Sequence, residues 1–416
     1  MSLFTKLFLL LLALGTLTQL WLLQRHLSTV ARHRGRVPEA FEKTVSLSEH
    51  QKAADYTRAK GGLARFEILL SSLLLLLWTL GGGLDLLDDF WRNLGWSGLT
   101  GGMALALSFF VINALLDLPL DILRTFRIEQ AFGFNRTRPL QFVKDRLLGA
   151  FLGLLLGGPL LWLTLWLMAG AGSLWWLAVW AAWIAFSLAV NWAYPRFIAP
   201  LFNRFEPLRD GEIHQRIQAL LERCGFCSNG IFVMDGSKRS NHGNAYFTGV
   251  GRHKRIVFFD TLVERLSVDE MEAVLAHELG HFRRRHLLKR MLLMSLLSLG
   301  GLALLGWLSQ QGWFYSGLGV SQPSDAAALL LFILSLPVFT LFFSPLGSYL
   351  SRHSEFQADD YAVDQTDGEY LISALVKLYR DNAKTLTPDP LYSLFHDSHP
   401  PAPVRIAHIT QRPRAC

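Results

Sequence analysis

Long charge-free apolar runs decide which solvent this chain folds in. Residues 68–80 and 147–167 contain no ionisable side chain. Crossing the hydrocarbon layer of a bilayer, about 30 Å thick, takes roughly 20 mostly apolar residues in a helix. Windows of that length place seven spans, at 3–23, 66–87, 101–120, 147–168, 174–194, 287–308 and 326–346. Each must be helical, because lipid offers the backbone no hydrogen-bond partners. The 416 residues alone would suggest two or three soluble domains, but 51% hydrophobic against 18% charged residues argues against that and against a disordered chain. Lys6 ahead of a Leu-rich stretch resembles a secretion signal, yet no small-residue cleavage site follows, so the first run is read as a span.

The net charge of +7 suggests nucleic acid only until its distribution is considered. The loop 25–65 carries Arg25, Arg32, Arg34, Lys52, Arg58 and Lys60, and the loop after the third span carries Arg124, Arg127, Arg136 and Arg138. Such loops face the cytoplasm. Asp85, Asp88 and Asp89 follow the second span, and 169–173 and 310–324 have no basic residue, so these belong on the other side. The expected N-terminus is outside, with 195–286 and the tail after 346 in the cytoplasm; the partners are lipid and a peptide, not nucleic acid. The oligomeric state is left open.

The expected organisation is a five-span region 1–194, a cytoplasmic catalytic segment 195–286, two spans in 287–346 and a C-terminal cytoplasmic segment 347–416. Within the catalytic segment, Ile213, Ile217, Leu220 and Leu221 share a helix face. Residues 231–234 and 255–259 read as strands with 243–246 between them, and Ser267 with Glu270 makes a capping box for a helix over 267–282. The cysteines Cys224, Cys227 and Cys416 are too few for a disulfide framework, and Cys224 and Cys227 lack the second pair of a zinc site, so reduced thiols are expected.

That last helix carries His277-Glu278-Leu279-Gly280-His281. Residues four apart share a face, so His277 and His281 can bind one zinc ion, and Glu278 can take a proton from water there. A surface helix with two unrelated histidines is the bland alternative. Against it stands Glu355, which can supply a third ligand, with Asp359 one turn further on to orient a ligand histidine. His399 is a candidate donor to the oxyanion of a tetrahedral intermediate. Arg405 is the structural partner of a carboxylate and is grouped with the substrate-facing residues.

Further segments carry a resemblance. Residues 351–359 read Ser-Arg-x-x-Glu-x-Gln-Ala-Asp, 398–401 read Ser-His-Pro-Pro and 244–246 read Asn-Ala-Tyr. Asp235 to Ser240, Ile128-Glu129 with Gly133-Phe134-Asn135, and Asp55-Tyr56 through Lys60 complete the series. In this order they resemble the type I CAAX prenyl proteases, integral-membrane zinc endopeptidases, over about residues 50–405. The resemblance implies an all-α membrane protein whose seven helices enclose a chamber, with a cytoplasmic zincin-like α+β protease domain facing it. It implies one zinc ion per chain on His277, His281 and Glu355, Glu278 as base, and Asp359 paired with the metal helix. Asn244, Ala245 and Tyr246 would hold the substrate, a prenylated peptide in the family's name, as an added strand.

His242-Gly243 stands where small or hydroxylated residues are expected, and His242 is read as an exposed loop residue rather than a ligand. The short 310–324 loop lacks the luminal insertion of some eukaryotic members, and the Leu-, Trp- and Arg-rich composition looks bacterial, which implies an inner membrane. The alternative within the enzymes is an HtpX-like protease that degrades misfolded membrane proteins. A transporter is the rival from another class, but Glu67 and Asp117 are few ionisable residues for a pathway. A pseudoenzyme is disfavoured because every metal and catalytic position is filled.

Overall fold

The structure, a computed structural model, describes residues 1–226, 230–248 and 255–412. Seven helices are long and apolar enough to span a membrane: Leu3–His33, Leu47–Trp78, Gly98–Glu129, Pro139–Gly170, Gly172–Phe202, His286–Leu308 and Asp325–Gln365. The chain is an integral, multi-pass membrane protein.

Each expected span has its helix, but the ends differ because apolar windows do not register caps. The basic segment 25–65, expected as a loop, is mostly helix. The first span runs on to His33, and the second begins at Leu47 under a reciprocal capping box of Ser46 and Glu49. Conversely, the second span stops at Trp78 rather than at residue 87. Gly82, in the left-handed region at φ 75°, opens a separate short helix at Gly83–Asn93. The fifth span continues through Pro195 to Phe202, eight residues past the expected boundary at 194.

The spans pack side by side. The first touches the second and seventh, the third touches the fourth and seventh, and the fourth, fifth and sixth follow in order back to the seventh. Between 6% and 44% of each apolar window is buried. Helices in a solid bundle bury a broad apolar stripe; so little burial fits a ring with lipid outside and a chamber within. Glu67, the ionisable residue near a span's end, is paired with Arg124.

Beyond the fifth span the pattern changes to a small mixed sheet. Its strands are β1 (Phe205–Pro207), β2 (Ile231–Met234), β3 (Ala245–Thr248) and β4 (Arg255–Phe259). They lie in the order β1-β2-β4-β3, with β2 and β4 parallel and both edge strands antiparallel to their neighbours. The two expected strands are β2 and β4. The segment between them forms β3, an edge, and β1 is an addition too short to leave a period-two pattern.

The motif helix, Val268–Arg283, starts at the expected capping box of Ser267 and Glu270. It packs on helix Glu212–Arg223 through Ile217, Leu220 and Leu221, which are buried. Its other flank lies along helix Ser344–Gln365, the continuation of the seventh span. Gly280 makes that approach possible, since nothing projects there toward Ala358.

Candidate metal centre

The two helices bring three donors together. His277, His281 and Glu355 each offer one ligand atom, and these atoms lie within 4.8 Å of one another. His277 Nε2 is 3.5 Å from Glu355 Oε2, and His281 Nε2 is 3.3 Å from Glu355 Oε1. The two Nε2 atoms are 3.3 Å apart, with the rings nearly perpendicular.

The other side of each imidazole is occupied. His277 Nδ1 lies 2.8 Å from Asp359 Oδ1, and Asp359 in turn accepts from Arg405, whose Nε is 2.8 Å from Oδ2. His281 Nδ1 lies 3.0 Å from His286 Nδ1. With Nδ1 committed on both rings, the two Nε2 atoms and a carboxylate converge on one point. Glu355 Oε2 is buried there without a hydrogen bond. Buried polar atoms in native proteins nearly always have a partner, and a cation among these donors satisfies all three. The residues therefore fit a metal.

Charge at the site follows from burial and neighbours. Burial and the Arg405 charge act to lower the pKa of His277, but the neighbouring carboxylates of Asp359 and Glu355 outweigh them and bring it to about 9. Burial raises the Glu278 carboxyl, opposed by His277 and His281. Among the described residues no side chain is hydrogen-bonded or ion-paired to the Glu278 carboxylate, whereas Glu355 and Asp359 each face a histidine. The Glu278 carboxylate is thus the uncommitted one. His399 Nε2 is 3.4 Å from Glu355 Oε1 with its side chain 65% exposed, yet burial lowers its pKa. Ser398 Oγ lies 3.0 Å from Nδ1, where its hydroxyl can donate and leave the ring proton on Nε2.

Two placements correct expectations. Arg405, grouped with substrate contacts, is buried and spends its guanidinium on Asp359, with Nη1 3.8 Å from Glu355 Oε2. A buried, paired Arg leaves little face for substrate, and this placement supports the reading of Arg405 as the partner of a carboxylate. Asp359 is fully buried and reaches the centre only through His277. His242 is not an exposed loop histidine either. Its ring stacks on Phe134 at 4.5 Å, and Nδ1 is 3.1 Å from Asn382 Oδ1.

Ala245 and Tyr246 open the edge strand β3, and Asn244 immediately precedes it. The Asn244 carbonyl accepts from Phe259 N at 3.0 Å, while its side-chain Oδ1 accepts from Ala245 N at 2.9 Å. Burial raises the Tyr246 hydroxyl to about 12. Cys224 is a free thiol 3.5 Å from Gln365 Oε1; Cys227 and Cys416 lie outside the described residues. Sequence reasoning missed His286, which stands five positions past the motif and across a helix break. The sole signal for it was a histidine close behind the metal helix.

Residues 26–204 match a family profile described as the CAAX prenyl protease N-terminal region with five membrane helices, and residues 207–413 match peptidase family M48. The CAAX prenyl protease 1 homolog of Dictyostelium discoideum is 32% identical over 397 residues, covering 92% of each chain. That of Arabidopsis thaliana is 36% identical over 301 residues, covering 71% of this chain and 70% of the relative. The crystal structure of S. mikatae Ste24p superposes with a TM-score of 0.88 at 29% identity, covering 98% of this chain and 99% of that one.

Proposed function

The chain belongs to peptidase family M48, among the CAAX prenyl proteases, and from that premise we propose that it is a zinc endopeptidase cleaving prenylated C-terminal peptides at a membrane. The metalloendopeptidase activity goes with the family. The substrate class is taken from the relatives' name. The observation that carries the reading is the convergence of His277, His281 and Glu355 beside the uncommitted carboxylate of Glu278.

His277, His281 and Glu355 would hold the metal, and two imidazoles with one carboxylate are a donor set that catalytic zinc uses. When bound, zinc supplies a Lewis acid that polarises the scissile carbonyl and acidifies water near neutral pH. The protein's own groups do the rest. Glu278 accepts the proton of the attacking water and passes it to the leaving amine. His399 Nε2 donates to the oxyanion that appears only in the transition state. Asp359 fixes the ring of His277, and Arg405 balances Asp359. Asn244, Ala245 and Tyr246 offer the substrate a strand edge, which agrees with the outer place of β3 in the sheet.

The basic segments 25–65 and 124–146 support a cytoplasmic orientation for the catalytic half, with the five-span region ahead of it and the Glu355 and Ser-His-Pro-Pro segments behind. The composition supports a bacterial inner membrane as its location. The quality-control alternative is not favoured, since the membrane region itself matches the CAAX prenyl protease profile.

The test is metal analysis of purified full-length protein joined to cleavage of a farnesylated C-terminal peptide and its unprenylated form, with and without chelator. One zinc per chain and faster, chelator-sensitive cleavage of the farnesylated peptide are expected. Equal rates on both peptides would overturn the substrate class, and cleavage unaffected by metal removal would overturn the chemistry.

A further inference from the structure

The two histidines of the proposed metal set are oriented differently, and only His277 by a charged partner. His277 is held by Asp359 and Arg405. His281 is held by a chain of imidazoles and one amide that contains no carboxylate or guanidinium. Its Nδ1 is 3.0 Å from His286 Nδ1, His286 Nε2 is 2.9 Å from Gln357 Oε1, and Gln357 Nε2 is 2.9 Å from His353 Nε2.

The direction of these hydrogen bonds follows from the Gln357 amide. Its oxygen can only accept, so His286 Nε2 carries the proton and donates. With that proton on Nε2, His286 presents the lone pair of Nδ1 to His281, which lies 3.0 Å away and donates its Nδ1–H. The proton on His281 Nδ1 leaves a lone pair on Nε2, the atom that faces Glu355 and His277. At the far end, the amide nitrogen of Gln357 donates to His353. Every link agrees with the next, and the chain ends by aiming an unprotonated nitrogen at the metal position.

The backbone gives a second observation. Arg285, between the motif helix and the sixth span, has φ 55° and ψ 36°. A non-glycine residue in that left-handed region costs roughly 1–2 kcal/mol. The turn breaks the helix after Arg284 and starts the next one at His286, and this brings the His286 ring to 5.1 Å from that of His281. Strain of this kind persists where surrounding contacts demand it.

We infer that His286 and Gln357 are positioning residues for the metal ligand His281, fixing its tautomer and ring orientation through the hydrogen-bonded chain His281–His286–Gln357–His353. The inference rests on the metal reading above, and its test separates the two. Full-length protein is titrated with zinc against a chromogenic chelator, and melting is followed in parallel. His286→Ala is expected to weaken zinc about 10- to 100-fold, the usual effect of losing a partner behind a metal ligand. Gln357 supplies the control that a folding defect in His286→Ala would otherwise leave out. Gln357→Leu removes the acceptor and should also weaken zinc at least roughly 10-fold, whereas Gln357→Glu keeps an acceptor oxygen and should stay near wild type. Wild-type affinity in both His286→Ala and Gln357→Leu overturns the inference. Equal weakening by Gln357→Leu and Gln357→Glu also overturns it, since packing rather than an acceptor would then be what matters. Absence of zinc from the wild type would instead sink the metal reading.

Discussion

Gly280 lies against Ala358 so closely that a Cβ on the glycine would stand 2.9 Å from the alanine Cα and 3.0 Å from its carbonyl oxygen. Both obstructing atoms are backbone, so no rotamer change relieves them. Gly280 is one residue before His281, and Ala358 is three after Glu355, both members of the proposed donor set. The approach of the helices therefore sets the separation of the donors. Gly280→Ala should lower stability by about 1–3 kcal/mol, the usual cost of overpacking, and reduce zinc retention. Melting and metal content check this; a variant with wild-type values of both would show that the helices do not need this contact.

Glu278 stands beside the donors without being one. Glu278→Gln preserves its size and removes its basicity, so hydrolysis should fall by at least about 100-fold while zinc content stays at wild type. Turnover at the normal rate would end the assignment of Glu278 as base.

Arg405 and Asp359 form a pair with side chains 10% and 0% exposed. Removing one member of such a pair leaves a buried charge uncompensated, at a cost of about 3–5 kcal/mol. Arg405→Ala is expected to show that loss in melting and to loosen His277. The double variant Asp359→Asn with Arg405→Met leaves no orphan charge and should be more stable than Arg405→Ala. The reverse order would mean that the guanidinium acts through packing.

Much of this arrangement is legible in the residues, for identifiable reasons. The spans show because apolar runs are their own signal; their ends do not, because the caps at Ser46 and Gly82 act locally in segments that a hydropathy window averages, and because the fifth span runs through Pro195 instead of stopping there. His277 and His281 show because one helix fixes their spacing. Glu355 shows because its neighbours form a recognisable string. The burial of Arg405 and the stacking of His242 on Phe134 depend on chain segments more than 40 and 100 residues apart, respectively, and no local pattern carries them. His286 is hidden differently, behind an unusual backbone conformation at Arg285 that propensities argue against.

Glu270 links the start of the motif helix to helix Gly368–Asp381. Burial opposes its ionisation, but Lys377 at 2.7 Å, Ser373 at 2.6 Å and the Ser267 backbone N–H outweigh burial and hold the carboxyl below its ordinary range. A depressed pKa stabilises the fold above the unfolded value of about 4.3, and the contribution fades as pH falls through the folded value. Wild type should therefore melt above Glu270→Gln by a margin that is constant above about pH 5.5 and shrinks on acidification below the usual carboxylate range. The variant subtracts the other carboxylates, which both proteins share. A margin that widens toward low pH would contradict the assigned sign.

The edge strand offers the sharpest separation of substrate binding from folding. The Asn244 carbonyl accepts from Phe259 N, and Ala245 pairs opposite Phe258. Antiparallel ladders alternate with period two, so the Ala245 N–H points away from β4, toward the open edge. Among the described residues it meets there only the Asn244 side chain, at 2.9 Å. A substrate strand adding to that edge would take this N–H as a donor. Ala245→Pro removes the donor without taking a hydrogen bond from the ladder, and proline is tolerated on sheet edges. KM for a peptide should rise about 2- to 10-fold, the worth of one hydrogen bond, with kcat and melting little changed. Tyr246→Pro, one residue on, deletes a ladder donor instead and should lower melting. If Ala245→Pro left KM untouched, the substrate would have to be held elsewhere than on β3.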